Sequence, residues 1–480
     1  QRLDDYTGRW LERRTDVCQA TRVRGEQSEE VLDLRMHCLD RRLAEVGALG
    51  AALGAADAHL IGRALDLVDS LQPLATCDDI AALSAAKPLP ADPARRAAVE
   101  ALDPRLADLE LSQRTGEYDK TLAAARTVLA EARTLGYAPY QAEALSWQAM
   151  ATRSTGKMAD AERLFYQTIT AAEEAGLDRL RAQMWIALSF VHMDTSRFAD
   201  AHRDLDFARA VLAHRGSDPA IDANLLQNEG LLFWYEERNT EAADRLQQAL
   251  ALLERQTPRD DQSIVLVLSN LTGLYSHMRR LDDALATGTR ARDLLVATRG
   301  PDHPWLSDIL GNLATVYDRK GQAAEAARLF EQTLAIKRKH LPPDHPGLVN
   351  AIINVAAVAE DHHDWPRALA GYQEALTIRE RALGANNFEL SLPLVGMGRA
   401  LDELGRPTEA EPLLRRALAL REHAPTAPEH LAEIRFELAR ALWASKHDRP
   451  GALRLADQAI AGLPEGENRT MVQAWRAQHR

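Results

Sequence analysis

A chain of 480 residues exceeds what one compact core accommodates, which leaves two or three domains or an elongated array. Apolar residues supply 46% and charged residues 27%, a mix that excludes disordered, collagen-like and membrane-embedded classes. Acidic side chains outnumber basic ones 70 to 58 for a net charge of −12, so nucleic acid is not an expected partner, and 5% aromatic content beside abundant Ala, Leu, Arg and Glu predicts an all-α fold.

The chain opens on Gln1 rather than Met, with no signal peptide visible, and reads as a piece of a longer protein. Apolar residues at helical spacing predict helices over Leu11 to Arg22, Val31 to Leu53 and Ala58 to Leu71, the first two joined by a polar turn at Arg24 to Glu29. Cys18, Cys38 and Cys77 are too few for a disulfide framework or a paired zinc site. They are expected as buried or free thiols, with a Cys18 to Cys38 bridge as the alternative in an oxidising compartment. Lys87-Pro88-Leu89-Pro90-Ala91-Asp92-Pro93 breaks the helical pattern and bounds an N-terminal helical module placed at residues 1–104. The richest apolar run, Ile264 to Leu268, is too short to cross a bilayer, so no membrane insertion by this chain is expected.

From there a repeat takes over. The stretch Asn312 to Leu334 reads as two amphipathic helices around a turn at Gly321, with Ala326 as the small residue of the second helix. Its equivalents are Thr121, Ala161, Ala201, Ala242, Ala284, Ala368, Ala410 and Ala452, at spacings that settle from 40 to 42. Twelve residues earlier a second small position recurs on the first helix as Ala149, Ser189, Gly230, Thr272, Ala314, Ala356 and Gly398. Small residues at both places let the helices of a hairpin cross closely, while Leu313, Tyr317, Phe330 and Leu334 fill the space around the crossing. One hairpin buries little alone, so stacked neighbours must complete each core. The linkers Gly300-Pro301-Asp302-His303-Pro304, Pro342-Pro343-Asp344-His345-Pro346 and Gly384-Ala385-Asn386-Asn387 stop one helix, their Asp or Asn residues are expected to cap the next, and His303 and His345, 42 apart, are assigned to capping and turn chemistry.

These residues resemble the tetratricopeptide repeat over about Leu106 to Leu463, and the 42-residue spacing with D-H-P in the linker is similar to the longer variant of kinesin light chains. The resemblance implies an all-α solenoid of about nine hairpins over residues 105–463, wound as a right-handed superhelix, with 464–480 as a tail or capping helix. Thr121 in place of Ala and an extra residue near Pro450 mark the terminal units as irregular. In the N-terminal module, Trp10, Cys18-Gln19-Ala20-Thr21, Gly25-Glu26-Gln27-Ser28 and Leu32-Asp33-Leu34-Arg35-Met36-His37-Cys38-Leu39 are similar to the segment that follows the kinase domain in bacterial, myxobacterial-type serine/threonine kinases with C-terminal tetratricopeptide arrays. That resemblance implies a kinase domain upstream in cis. Such relatives often carry a spanning helix before the array, so it implies either a cytoplasmic or an extracytoplasmic location.

The chain itself shows no catalytic set. His202-Arg203-Asp204-Leu205 spells a kinase catalytic-loop tetrapeptide, but Arg209 stands where the metal-binding Asn belongs, and the stretch falls inside a repeat helix. No Gly-rich phosphate loop or nucleophile elbow occurs, so no cofactor is expected. Asp361-His362-His363-Asp364 holds potential ligands but sits at a hairpin turn, where polar residues are ordinary, and no metal site is assigned. The run Lys337-Arg338-Lys339-His340 closes a helix, where cations suit the dipole.

One polar series repeats: Asn228, Asn270, Asn312 and Asn354, each two residues before the first-helix small position and 42 apart. In the resembling families this position faces the concave wall. A carboxamide both donates and accepts, so it matches peptide N–H and C=O without selecting side chains. The alternative is that the ladder bonds neighbouring helices and sets repeat geometry. Asn224, Gln227, Trp234, Arg319 and Asn350 would supply specificity, whereas Trp147, Trp185 and Trp234 also suit hairpin core. The expected function is a non-catalytic, partner-recruiting region of a serine/threonine kinase that binds peptide or protein on the concave face. The alternatives are a stand-alone adaptor and a ligand-responsive sensor.

Overall fold

The computed structural model describes residues 1–56, 60, 63–216, 218–256, 259–422 and 427–479, and every regular element among them is a helix. The chain divides into two compact units, Gln1–Met278 and Arg279–Arg480.

The first unit opens with α1 (Arg2–Arg22) and α2 (Glu29–Gly54), joined by the expected polar turn. Ser28 starts α2 by accepting a hydrogen bond from the Val31 amide at 3.2 Å. The third predicted helix is shorter than expected: α3 spans Ala64–Asp69, and part of the predicted span lies outside the described residues. A 3₁₀ turn at Leu74–Asp78 and α4 (Ile80–Ala85) follow. The cysteines depart from the sequence reading: Cys38 pairs with Cys77 in a disulfide, while Cys18 is free and exposed. Cys18 lies on an outward face of α1, whereas α2 folds Cys38 against the 3₁₀ turn. The Pro-rich stretch is pinned to the array. The Lys87 amide donates to Ala175 O at 2.9 Å, and Arg95 of α5 (Pro93–Glu100) donates to Leu135 O at 2.7 Å.

The hairpins of the first unit are α6/α7 (Asp103–Thr115, Tyr118–Leu135), α8/α9 (Ala138–Ser154, Met158–Glu174), α10/α11 (Asp178–Asp194, Phe198–Arg215) and α12/α13 (Pro219–Tyr235, Asn239–Glu254), followed by α14 (Asp261–His277). The second unit holds α15 (Leu281–Arg299), then α16/α17 (Leu306–Arg319, Ala323–His340), α18/α19 (Val349–Asp361, Trp365–Leu383), α20/α21 (Ser391–Glu403, Pro407–Glu422), α22/α23 (Pro428–Ser445, Arg449–Gly462) and α24 (Glu467–Gln478).

The repeat positions behave as close packing requires. From Thr121 to Ala452 all nine second-helix small residues are at most 2% exposed. Where the first helix carries glycine, its partner fills the space: a Cβ on Gly230 would lie 2.8 Å from Leu246, and one on Gly398 would lie 2.6 Å from Leu414. Thr121 compensates for its hydroxyl by donating to Ser112 Oγ at 3.0 Å, so the irregular first hairpin buries a satisfied polar pair. Within each unit the hairpin turns place one residue in the left-handed region; Gly116, Gly156, Gly321 and Gly405 do so without penalty, whereas Ser196, Glu237, Arg279, His363 and Lys446 adopt it as non-glycines.

In the linkers Asn387 caps as expected, and so do the two histidines, whereas Asp302 and Asp344 do not: His303 Nδ1 accepts from the Trp305 amide at 3.3 Å, His345 Nδ1 from the Gly347 amide at 3.0 Å, and Asn387 Oδ1 from the Glu389 amide at 2.8 Å. Asp302 and Asp344 instead take ion pairs with Lys339 and Arg381, each at 2.9 Å. The rest of the basic run is likewise paired, Lys337 with Asp308 and Arg338 with Glu374, both at 2.8 Å.

Candidate partner-binding site

In the first unit, α12 places Asn224 and Asn228 one helical turn apart, and Asn228 Nδ2 donates to Asn224 O at 2.9 Å and to Asn224 Oδ1 at 3.0 Å. Asn228 is buried, and its donors bond within its own helix rather than to a neighbouring one. Gln227 is half-buried and Asn224 exposed. Trp234 lies over the next first helix, where a Cβ on Gly273 would come within 2.8 Å of its ring. Asn270 on α14 is half-buried. Trp147 and Trp185 pack against the hydrophobic cluster of the first hairpins, in keeping with the core reading.

In the second unit, Asn312 on α16 and Asn354 on α18 are half-buried, and Arg319 is exposed at the end of α16. Asn350 is exposed and accepts a hydrogen bond from Arg379 Nη2 at 2.8 Å. The ladder stops at Gly396 for a steric reason: a Cβ there would sit 2.6 Å from the Tyr372 ring. Tyr372 in turn donates to Glu360 Oε2 at 2.8 Å.

Sequence reasoning missed a charged stripe that continues from this point. Arg399 on α20 approaches Glu360 on α18 at 3.2 Å, and Arg440 on α22 approaches Glu437, Asp402 and Glu403 at 3.3, 3.3 and 2.6 Å. Burial raises the pKa of Asp402 and Glu437 against the opposing pull of Arg440. A signal existed in the sequence, since Asp318, Glu360 and Asp402 recur at 42 residues.

The first unit holds two further buried ionic clusters. His192 on α10 is fully buried, with Nδ1 2.5 Å from Asp204 on α11 and Nε2 3.1 Å from Glu162 on α9. Burial alone pushes the imidazole's pKa down, but the hydrogen bonds to Asp204 and Glu162 outweigh it and hold the pKa above its ordinary value. Asp204 belongs to the His202-Arg203-Asp204 tetrapeptide, so that sequence is a helix-packing element, with His202 3.0 Å from Glu236. The second cluster joins the N-terminal module to the first hairpins. Arg41 Nη2 lies 2.7 and 2.6 Å from the carboxylate oxygens of Glu143, Arg41 Nε lies 3.4 Å from Asp103, and Tyr140 donates to Asp103. Burial raises Asp103 to about 6 and Glu45 to about 7, and lowers His37, beside Arg41, to about 4.

Among the described residues no group of three or more His, Cys, Asp and Glu side chains could hold a metal ion, and no helix is long and apolar enough to cross a membrane. Asp361-His362-His363-Asp364 forms a turn, with His363 left-handed and Asp364 accepting from the Arg367 amide at 3.3 Å.

What this geometry defines is a tetratricopeptide-type array of helical hairpins, a class of protein-interaction scaffold. The family model described as "Tetratricopeptide repeat" matches residues 263–339 and 348–423. Among solved structures, the apo form of RapI aligns at 10% identity over 78% of this chain and 98% of that one, with a TM-score of 0.53, which supports the fold. BtubC (BKLC) from P. vanneervenii aligns at 20% identity over 48% of this chain and 94% of that one, with a TM-score of 0.42. A putative kinesin light chain with nearly identical repeats from Podosopora anserina aligns at 23% identity over 41% of this chain and 94% of that one, with a TM-score of 0.36. No curated protein matches the sequence.

Proposed function

We propose that the chain recruits a peptide or protein partner along the first-helix face, as the regulatory region of a bacterial serine/threonine kinase whose catalytic domain precedes it in cis. The observation that carries the partner-binding reading is the register of the first helices. Asn228, Asn270, Asn312 and Asn354 occupy one position 42 residues apart, so a carboxamide recurs at each successive hairpin, half-buried at Asn270, Asn312 and Asn354 and bonded within α12 at Asn228. Asn224, Gln227, Trp234, Arg319 and Asn350 stand near that register and supply side-chain selectivity. The kinase assignment rests on the resemblance of the N-terminal module. In this reading residues 1–104 form that module, 105–463 the array and 464–480 its terminal cap.

The test is peptide binding followed by fluorescence anisotropy before and after Asn270→Ala and Asn312→Ala. Losing one carboxamide hydrogen bond costs about 1 kcal/mol, so each change is expected to weaken binding about fivefold. Unchanged affinity in the double variant retires the ladder as a binding device. The residues encoded before Gln1 decide the kinase part, because a catalytic loop and metal-binding Asp must appear there in order.

A further inference from the structure

Tyr6, Val17, Leu32, Leu39 and Leu74 cluster with the disulfide, while the hydrophobic cluster of the first hairpins begins at Val99 and includes none of them. Where α2 of the module packs along α6 of the array, the contact includes a polar seam. Arg41, with only 24% of its side chain exposed, reaches Glu143 on α8 and Asp103 on α6, and its guanidinium lies 5.1 Å from the centre of the Tyr140 ring. His37 Nε2, one turn earlier on α2, is 3.4 Å from the Tyr140 hydroxyl, and Gln72 donates to Glu110 of α6 at 3.4 Å.

The seat has a place in the repeat register. Glu143 stands six residues before Ala149, as Asn224 stands six before Gly230 and Asn350 six before Ala356. The module therefore covers, on the second hairpin, the first-helix position that carries candidate partner contacts on later ones. Charged groups also separate at less cost than apolar core, because parted ions regain water. The chain stays tethered beyond the seam, since the Lys87 amide and Arg95 hold the connections between hairpins at Ala175 and Leu135.

We propose that Asp103, Tyr140 and Glu143 form a docking seat for an arginine-bearing helix, and that α2 is its resident and displaceable occupant. The module masks the first two hairpins while Arg41 is seated, and a partner helix that presents arginine competes for the same carboxylates. The partner class rests on reading the first-helix face as the binding surface; the latch itself does not.

Hydrogen exchange on the full chain tests the latch without any partner. Arg41→Ala and Glu143→Ala are each expected to speed exchange in α2 and α8 by about tenfold or more, leaving α12 to α14 unchanged, while the double exchange Arg41→Glu with Glu143→Arg restores protection. Protection of α2 unchanged in both single variants overturns the proposal. If α1 also loses protection, so that the module has unfolded, the charge exchange decides: rescue supports the latch, and failure to rescue overturns it. A labelled peptide of residues 29–54 with Cys38→Ser supplies the docking arm. Binding to the Arg41→Ala chain about tenfold tighter than to the unaltered chain supports a seat that is opened by removing its occupant; equal binding to both overturns it. Because exchange needs no external ligand, a failed latch and a failed asparagine ladder give different results.

Discussion

His192 places an ionisable ring between Asp204 and Glu162, so three helices from two hairpins meet at one buried proton. Replacing it with Ala leaves Asp204 buried without its partner, and breaking such a pair costs about 3 kcal/mol. The pH dependence follows from the raised folded pKa. In the unfolded chain His192 titrates near its ordinary value, so its contribution is fully present below about pH 6.5 and is lost as pH rises through the folded value. Urea unfolding of the unaltered chain and of His192→Ala should therefore differ most at pH 6 and converge as the pH rises; a difference that grows with pH refutes the assignment. None of this was legible in the sequence, because the partners lie 12 and 30 residues away on other helices, and the local string spelled a kinase motif instead. The linker histidines were legible in part: their recurrence 42 residues apart pointed to capping and turn chemistry, and their imidazole nitrogens do take the Trp305 and Gly347 amides, as Asn387, 42 residues beyond His345, takes that of Glu389.

At the scale of elements, the disulfide decides how well the N-terminal module holds together. Cys38 and Cys77 are nearly fully buried and join α2 to the 3₁₀ turn across 39 residues of chain. Closing a loop of that length lowers the entropy of the unfolded chain by the equivalent of about 4 kcal/mol. A Cys38→Ser, Cys77→Ser chain should therefore lose protection in α1, α2 and the 3₁₀ turn at urea concentrations where α10 to α13 stay protected. Equal midpoints for module and hairpins would show that the bridge adds nothing. The sequence placed α2 and the hairpins well, because amphipathic periods and recurring small residues report local packing directly, but it found α1 only from Leu11 although the helix starts at Arg2. It could not choose the partner of Cys38: a pairing depends on which surfaces a short, irregular segment brings together, and no period encodes that. The candidate site was legible only in part. The asparagines announce themselves by repetition, and the acidic half of the charged stripe recurs at Glu360 and Asp402, but its arginine partners keep no such spacing and the Tyr372 ring that ends the ladder at Gly396 comes from a second helix.

At the scale of the molecule, hairpins that bury their apolar faces only against neighbours make stability a sum of local terms. The hydrophobic clusters show this in the first unit, where one gathers residues from Val99 to Val191 and the next from Ala182 to Leu232, each local in sequence. A defect should accordingly stay near its origin. Leu414 is the sharpest probe, being 1% exposed and packed where Gly398 leaves room for it. Leu414→Ala opens a cavity at a helix crossing, and such changes cost about 3 kcal/mol. Hydrogen exchange should then quicken across α20 to α23, where the lost contacts lie, and remain unchanged across α6 to α9. If protection falls equally along the whole chain, the array unfolds as one cooperative body and the additive picture is wrong. If it falls only locally, partner binding at one stretch of first helices can stabilise that stretch without reordering the rest, which is the behaviour a recruiting scaffold needs to hold more than one partner at once.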